Sequence, residues 1–247
     1  MVKKWQITIP ELTGDITRNA YVYLPESYDR EPERRYPVLY MFDGHNVFFD
    51  WDATYGKSWG MKEYMDFTGT QLIIAAVECN RSPENGRLSE YSPYDFQAPE
   101  LGKFKGRGDE TMIDRDYRTL QDREHTFIAG SSMGGLMSLY AVLQYNQVFS
   151  RAAALSPSVW VAPVKLRKLA KEAELLPDTI IYMDYGSEEG DFRPQVIQKF
   201  SRILSTLMDR GVMASGRIVP GGTHCEASWE KQLPFFMNTL MYGYQEN

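Results

Sequence analysis

Two hydrophobic rhythms alternate along the chain. Continuous apolar runs such as "YPVLYMF" (36–42) and "QLIIAAVE" (71–78) read as strands buried on both faces. "HTFIAG" (125–130), "RAAALS" (151–156), "TIIYMDYG" (179–186) and "GVMASGRIV" (211–219) extend the series. Near the start, "WQITI" and "NAYVYL" are short β-branched or aromatic runs, as expected of an antiparallel pair. Helical spacing appears between the runs. "GGLMSLYAVLQY" places Leu136, Leu139, Tyr140 and Leu143 on one face. "RPQVIQKFSRILSTLMDRG" aligns Val196, Phe200, Ile203, Leu204 and Leu207 and stops at Gly211, a suitable C-cap. "EASWEKQLPFFMNTLMYG" closes the chain, with Pro234 able to start or kink a helix. This order argues for an α/β fold with a mostly parallel sheet and helices on both faces.

Bulk properties narrow the class. At 247 residues, with 43% hydrophobic and 24% charged residues, the chain suits one soluble α/β domain spanning residues 1–247. No repeat or Pro/Gly/Ser-rich linker divides it. The net charge of −6, without a basic cluster, gives no reason to expect nucleic acid or an anionic membrane as partner. No apolar run approaches transmembrane length. "MVKKWQITIP" has no apolar run behind its lysines, so no secretory signal is read. Cys79 and Cys225 form no CxxC motif and read as reduced thiols. The expected location is cytoplasmic. Aromatic residues concentrate in "FFDWDATYGKSW" (48–59) and "YSPYDF" (91–96), either as packing or as walls of a substrate cleft.

One stretch carries chemistry. "TFIA–GSSMGG–LMSLY" reads as strand, tight turn and helix, and the turn falls at the carboxyl end of a strand, where ligands bind in parallel sheets. Gly130-x-Ser132-x-Gly134 fits the G-x-S-x-G nucleophile elbow, whereas Ser131 would need Ala129 and Met133 to be glycines. The elbow crowds the positions two before and two after the serine, and glycine relieves that crowding. It also sets the Met133 N–H at a helix N-terminus, facing any oxyanion. A serine needs a base. His125 starts the strand that feeds the elbow, at the wrong end of the sheet, and His45 comes early in the chain. His224, in "GGTHCE" after the last strand, fits the order serine, acid, histidine. The acid should come from the end of the intervening strand, "TIIYMDYGSEEGDF"; Asp184, Glu188, Glu189 and Asp191 are candidates, and geometry alone leaves Glu188 and Glu189 unseparated. The second oxyanion donor should come from "DGHNVF", through the N–H of His45 or Gly44, with Gly44 allowing backbone to approach substrate. Three scattered histidines supply no metal-ligand spacing, so no metal site and no cofactor are expected.

Together, "YPVLYMFDGHNVF", "RLSEYSP" (87–93), "IDRDYRTLQDREHTFIAGSSMGGLMSLY", "ALSPSVW" and "GGTHCEASWEKQLPFF" resemble the esterase D-like branch of the α/β hydrolases. That branch includes siderophore, feruloyl and acetylxylan esterases and S-formylglutathione hydrolase. The resemblance implies an α/β-hydrolase fold and a serine carboxylic-ester hydrolase acting on a small-molecule ester, with Ser132 as nucleophile and His224 as base. The acid of this branch tends to fall three residues after the glycine ending its strand; from Gly186 this favours Glu189. Arg87, Glu90, Tyr91 and Trp160 are carried over as substrate-side candidates, against the plainer readings of an Arg87–Glu90 ion pair and a packed Trp160. An acyltransferase on the same fold, or a hydrolase-fold protein that only binds a small molecule, are the alternatives.

Overall fold

The apolar runs become the strands of one sheet in a computed structural model that describes residues 1–83, 85–98, 102–104, 117–190 and 193–244. The strands are β1 (Val2–Ile9), β2 (Gly14–Tyr23), β3 (Val38–Met41), β4 (Ile73–Val77), β5 (Phe96–Ala98), β6 (Gly102–Phe104), β7 (Thr126–Ser131), β8 (Arg151–Leu155), β9 (Ile180–Gly186) and β10 (Met213–Val219). Eight of them form the main sheet in the order β1-β2-β4-β3-β7-β8-β9-β10, and β5 pairs with β6 apart from it. The β1–β2 and β2–β4 pairings are antiparallel and the remaining pairs of the main sheet are parallel, which matches the expected antiparallel first pair and mostly parallel sheet.

The helices are α1 (Pro10–Thr13), α2 (Ser27–Arg30), α3 (Met61–Thr68), α4 (Gly86–Glu90), α5 (Met133–Gln144), α6 (Pro163–Glu172), α7 (Arg193–Asp209), α8 (Glu226–Glu230) and α9 (Leu233–Leu240). They cover both faces. On one side Leu136 and Leu139 of α5, Leu166 of α6 and Phe200 of α7 pack with Ile128, Ala152 and Ile181. On the other, Met61 and Met65 of α3 and Phe236 and Met237 of α9 pack with Phe127, Ala153 and Tyr182. Successive strand residues thus enter opposite cores, which is why β7, β8 and β9 lack polar alternation. Each such large side chain contributes about 1.5–3 kcal/mol on burial.

Two expectations change in detail. Helix α5 is not one-sided: every residue from Met133 to Leu143 except Tyr140 is buried, because the helix packs against β7 and β8 and also against α6. The C-terminal segment is two helices, with Pro234 in the first turn of the second. Among the described residues, no helix is long and apolar enough to cross a membrane.

Chain connections run outward in opposite directions from β3 and β7, which lie side by side. The crevice at such a switch point, at the carboxyl ends of the strands, is where ligands bind in open α/β sheets.

Candidate active site

Ser132 directly follows β7 and caps α5, with φ 58° and ψ −119°. A positive φ at a non-glycine residue costs about 1–3 kcal/mol and persists only when its surroundings fix it. Here three backbone bonds do so. Ser132 N–H donates to the Leu155 carbonyl (2.9 Å), and the Ser132 carbonyl accepts from Ser158 (2.9 Å) and Leu136 (3.0 Å). The flanking glycines have separate causes. A Cβ on Gly130 would stand 2.7 Å from the Gly134 backbone carbon, and one on Gly134 would stand 2.9 Å from Phe42 Cβ at the exit of β3. The Met133 N–H opens α5 and has no acceptor within the helix.

His224 lies in the loop after β10, half-exposed, with its ring edge-on to Trp229 at 5.1 Å. Its Nδ1 is 2.7 Å from Glu189 Oε2. Glu189 is buried, and its other oxygen accepts from Gly186 N–H (2.7 Å) and Ser156 Oγ (2.5 Å). Ser156 in turn accepts from Trp229 Nε1 at 2.9 Å and sits at φ 44°. The structure therefore separates the acid candidates. Glu188 is exposed, and its backbone N–H donates to the Gly222 carbonyl. Asp184 is buried under Tyr182 Oη (2.9 Å) and Ser156 N–H (3.1 Å), and burial, against those two bonds, lifts its carboxyl to about 7. Asp191 lies outside the described residues. The loops bearing Glu189 and His224 touch through backbone: a Cβ on Gly186 would stand 2.3 Å from the Gly222 carbonyl oxygen.

Ser132, Ser131, His45, His224, Glu226 and Trp229 line a cleft of about 360 Å³. Ser132 Oγ is 3.4 Å from Ser158 Oγ. Among the described residues no hydrogen bond joins Ser132 to His224; such contacts often tighten only when substrate is bound. His125 is remote from this pairing, beside Asp122 (2.6 Å) and Tyr244 at the start of β7.

The loop after β3 forms the facing side. Asp43 has φ 56° and precedes a 3₁₀ turn over Gly44–Asn46. Arg87 grips its carboxylate with both Nε (2.7 Å) and a terminal nitrogen (2.6 Å), and Asp43 N–H donates to Tyr91 Oη at 3.1 Å. Burial would raise the Asp43 carboxyl, but the charge and hydrogen bonds of Arg87 outweigh it and hold the group below its usual value. His45 is buried with Nε2 3.0 Å from Thr54 Oγ1, and burial lowers its imidazole, with Asp43 opposing. Gly44 has a different reason to be glycine from the one expected: a Cβ there would stand 2.9 Å from the backbone of Ala76 and Val77 and from the Tyr21 ring. Packing on β4 alone already excludes a side chain there. Asp43, His45 and Cys79 each bring a potential ligand atom within 4.8 Å of the others.

The substrate-side candidates are redistributed. Arg87 reaches the cleft but pairs with Asp43, not with Glu90. Glu90 is buried, pairs with Arg18 at 2.5 Å and lines a separate internal cavity of about 80 Å³. Tyr91 is buried, and Trp160 meets Phe96 edge-on; neither lines the cleft with Ser132. Sequence reasoning missed Ser156 and Trp229 as the support of Glu189, and Asn46, whose amide donates to Glu226 at 2.9 Å. Nothing local in the sequence marks these residues, since their partners are distant along the chain.

With this geometry in hand, the relatives can be compared. A family model described as "Esterase: Putative esterase" matches residues 13–237. The chain belongs to this esterase family. It is 25% identical over 250 residues to the uncharacterized protein YbbA of Bacillus subtilis, covering 93% of this chain and 94% of that one. A ferulic acid esterase structure superposes with a TM-score of 0.68 at 20% identity, over 98% of this chain and 97% of that one. An IroE-like serine hydrolase from Shewanella oneidensis superposes with a TM-score of 0.72 at 17% identity, over 97% and 79%. These likenesses give the esterase the α/β-hydrolase fold, and its family membership makes it an enzyme of carboxylic-ester hydrolysis.

Proposed function

We propose that this esterase is a serine carboxylic-ester hydrolase that acts on a small-molecule ester through an acyl-enzyme. Ser132 is the nucleophile, His224 the base and Glu189 the acid that orients it. The observation that carries this reading is the 2.7 Å contact of Glu189 Oε2 with His224 Nδ1, in a cleft that also holds the positive-φ Ser132. Glu189 holds Nδ1 as the protonated nitrogen, which leaves Nε2 to accept the Ser132 proton. Ser132 Oγ then adds to the ester carbonyl, and the oxyanion takes hydrogen bonds from the N–H groups of Met133 and of His45 or Gly44. His224 returns the proton to the leaving alcohol, then takes one from water as it attacks the acyl-enzyme. Every step uses groups of this chain and water.

A fluorophosphonate probe tests the assignment. The wild-type protein should take up one label, Ser132→Ala none, and Ser131→Ala and Ser158→Ala should keep it. Undiminished labelling of Ser132→Ala moves the nucleophile elsewhere.

A further inference from the structure

Sequence spacing gives no sign of a metal site, yet the fold gathers one donor of each ligating kind below the cleft. Asp43 comes from the exit of β3, His45 from the 3₁₀ turn two residues on, and Cys79 from the exit of β4. All three are at most 5% exposed, and their ligand atoms lie within 4.8 Å of one another. The three residues also line the cleft, so an ion has a path to them. A second, independent observation concerns His45. Its Nε2 is matched with Thr54 Oγ1, while its Nδ1 is buried and has no hydrogen-bond partner among the described residues. Buried polar atoms are nearly always satisfied. If Nε2 carries the proton toward Thr54, Nδ1 presents a free lone pair, the arrangement by which an outer partner fixes the tautomer of a ligating histidine.

We propose that Asp43, His45 and Cys79 bind one thiophilic divalent cation of the Zn²⁺ class through a carboxylate oxygen, Nδ1 and Sγ. Thiolate, imidazole and one carboxylate are a soft-to-borderline donor set, which favours Zn²⁺ or Co²⁺ over Ca²⁺ or Mg²⁺. Metal bonds of tetrahedral Zn²⁺ set ligand atoms roughly 3.3–3.8 Å apart, so the trio needs to close by at most about 1.5 Å. Cys79 gives its proton to water as the sulfur–metal bond forms, and no electron is transferred. Two anionic ligands then balance the ion's charge. The ion competes with Arg87 for Asp43 and cross-links the 43–46 loop to the end of β4. On the reading given above, that loop supplies an oxyanion donor, so binding inhibits turnover reversibly. Metal binding itself does not depend on that reading.

The test uses the purified full chain with ZnCl₂ and CoCl₂. Calorimetry should give one Zn²⁺ per chain. Cobalt should produce a near-ultraviolet thiolate-to-metal charge-transfer band, and zinc should suppress ester turnover until EDTA restores it. Cys79→Ser and Cys79→Ala should both lose the band and the zinc inhibition while keeping turnover, and Cys225→Ser should keep both. Thr54→Val should weaken Zn²⁺ binding by about 10–100-fold. The proposal fails if cobalt gives no thiolate band, if the Cys79 variants retain it, or if Cys225→Ser removes it, which would place the ion beside His224. Metal binding with unchanged turnover would keep the site and overturn the inhibition.

Discussion

The elbow around Ser132 and the loop around Asp43 face the same cleft, and both hold a non-glycine residue at positive φ. They are held by different forces. At the elbow a steric and local demand adds to the backbone bonds with Leu155 and Ser158: Gly130 must pass the backbone of Gly134 four residues on. At Asp43 the constraint is electrostatic and distant: Arg87 and Tyr91, more than forty residues away, grip the carboxylate and the N–H of one residue. A local steric demand leaves a motif in the sequence. A long-range charge brace leaves only an arginine and an aspartate.

The largest effect should come from a third site that, like Asp43, depends on distant contacts. Glu189→Gln should lower ester turnover by on the order of 10³–10⁴-fold with short-chain substrates, while Glu188→Gln stays within a few-fold of wild type. Equal losses in both variants would show that the 2.7 Å contact does not orient His224. Next, Gly130→Ala should test the steric side: about 1–3 kcal/mol of overpacking, read by denaturant unfolding, with turnover down by roughly 10²-fold as Ser132 shifts. Were the variant as stable and active as wild type, the elbow would be flexible. Arg87→Ala probes the electrostatic side. Leaving Asp43 buried and unpaired should cost about 3 kcal/mol, with turnover falling toward the 10²-fold loss typical of a misplaced oxyanion donor. Because Arg87 makes a two-pronged grip, Arg87→Lys should recover only part of either quantity.

The last effect, read on stability and not on turnover, is a pH dependence. The Asp184 carboxyl, lifted to about 7 in the folded protein against an ordinary value near 4, binds a proton that the unfolded chain has lost between those two pH values. Its contribution is therefore full below about pH 4 and is lost as pH rises through about 7. Thermal unfolding should show stability declining over that window from this group, and Asp184→Asn should flatten the decline. An unchanged profile in Asp184→Asn would assign it to other groups.

These contrasts explain what could be read from the sequence. The strand runs were legible because both faces of β7, β8 and β9 are buried, and period-2 alternation is erased by the same cause each time. The tight turn at Ser132 was legible from glycine spacing, and the place of His224 after the last strand from chain order. Glu189 was not separable from Glu188 by local reading, since the difference lies in Ser156, Gly186 and Trp229, which only the fold assembles around one carboxylate. The pairing of Arg87 escaped for the same reason: Glu90 stands three residues away on paper, yet Asp43 lies closer in space. The completeness of α5 burial was missed because helical periodicity cannot show contacts that other elements make with the remaining faces.

The contact of Gly186 with Gly222 gives the cleft unequal walls. Backbone meets backbone there, with no side chain between to rotate away, so the loops of Glu189 and His224 shift together or stay still. The opposite rim carries Tyr55, 82% exposed, and near it Trp51, 80% exposed and stacked on Phe49. Those rings can turn in solvent without disturbing a packed neighbour on the far wall. On the proposed reading, bulky or awkwardly branched esters would fit on that rim, and changes in acceptance range between variants should map to residues 49–57.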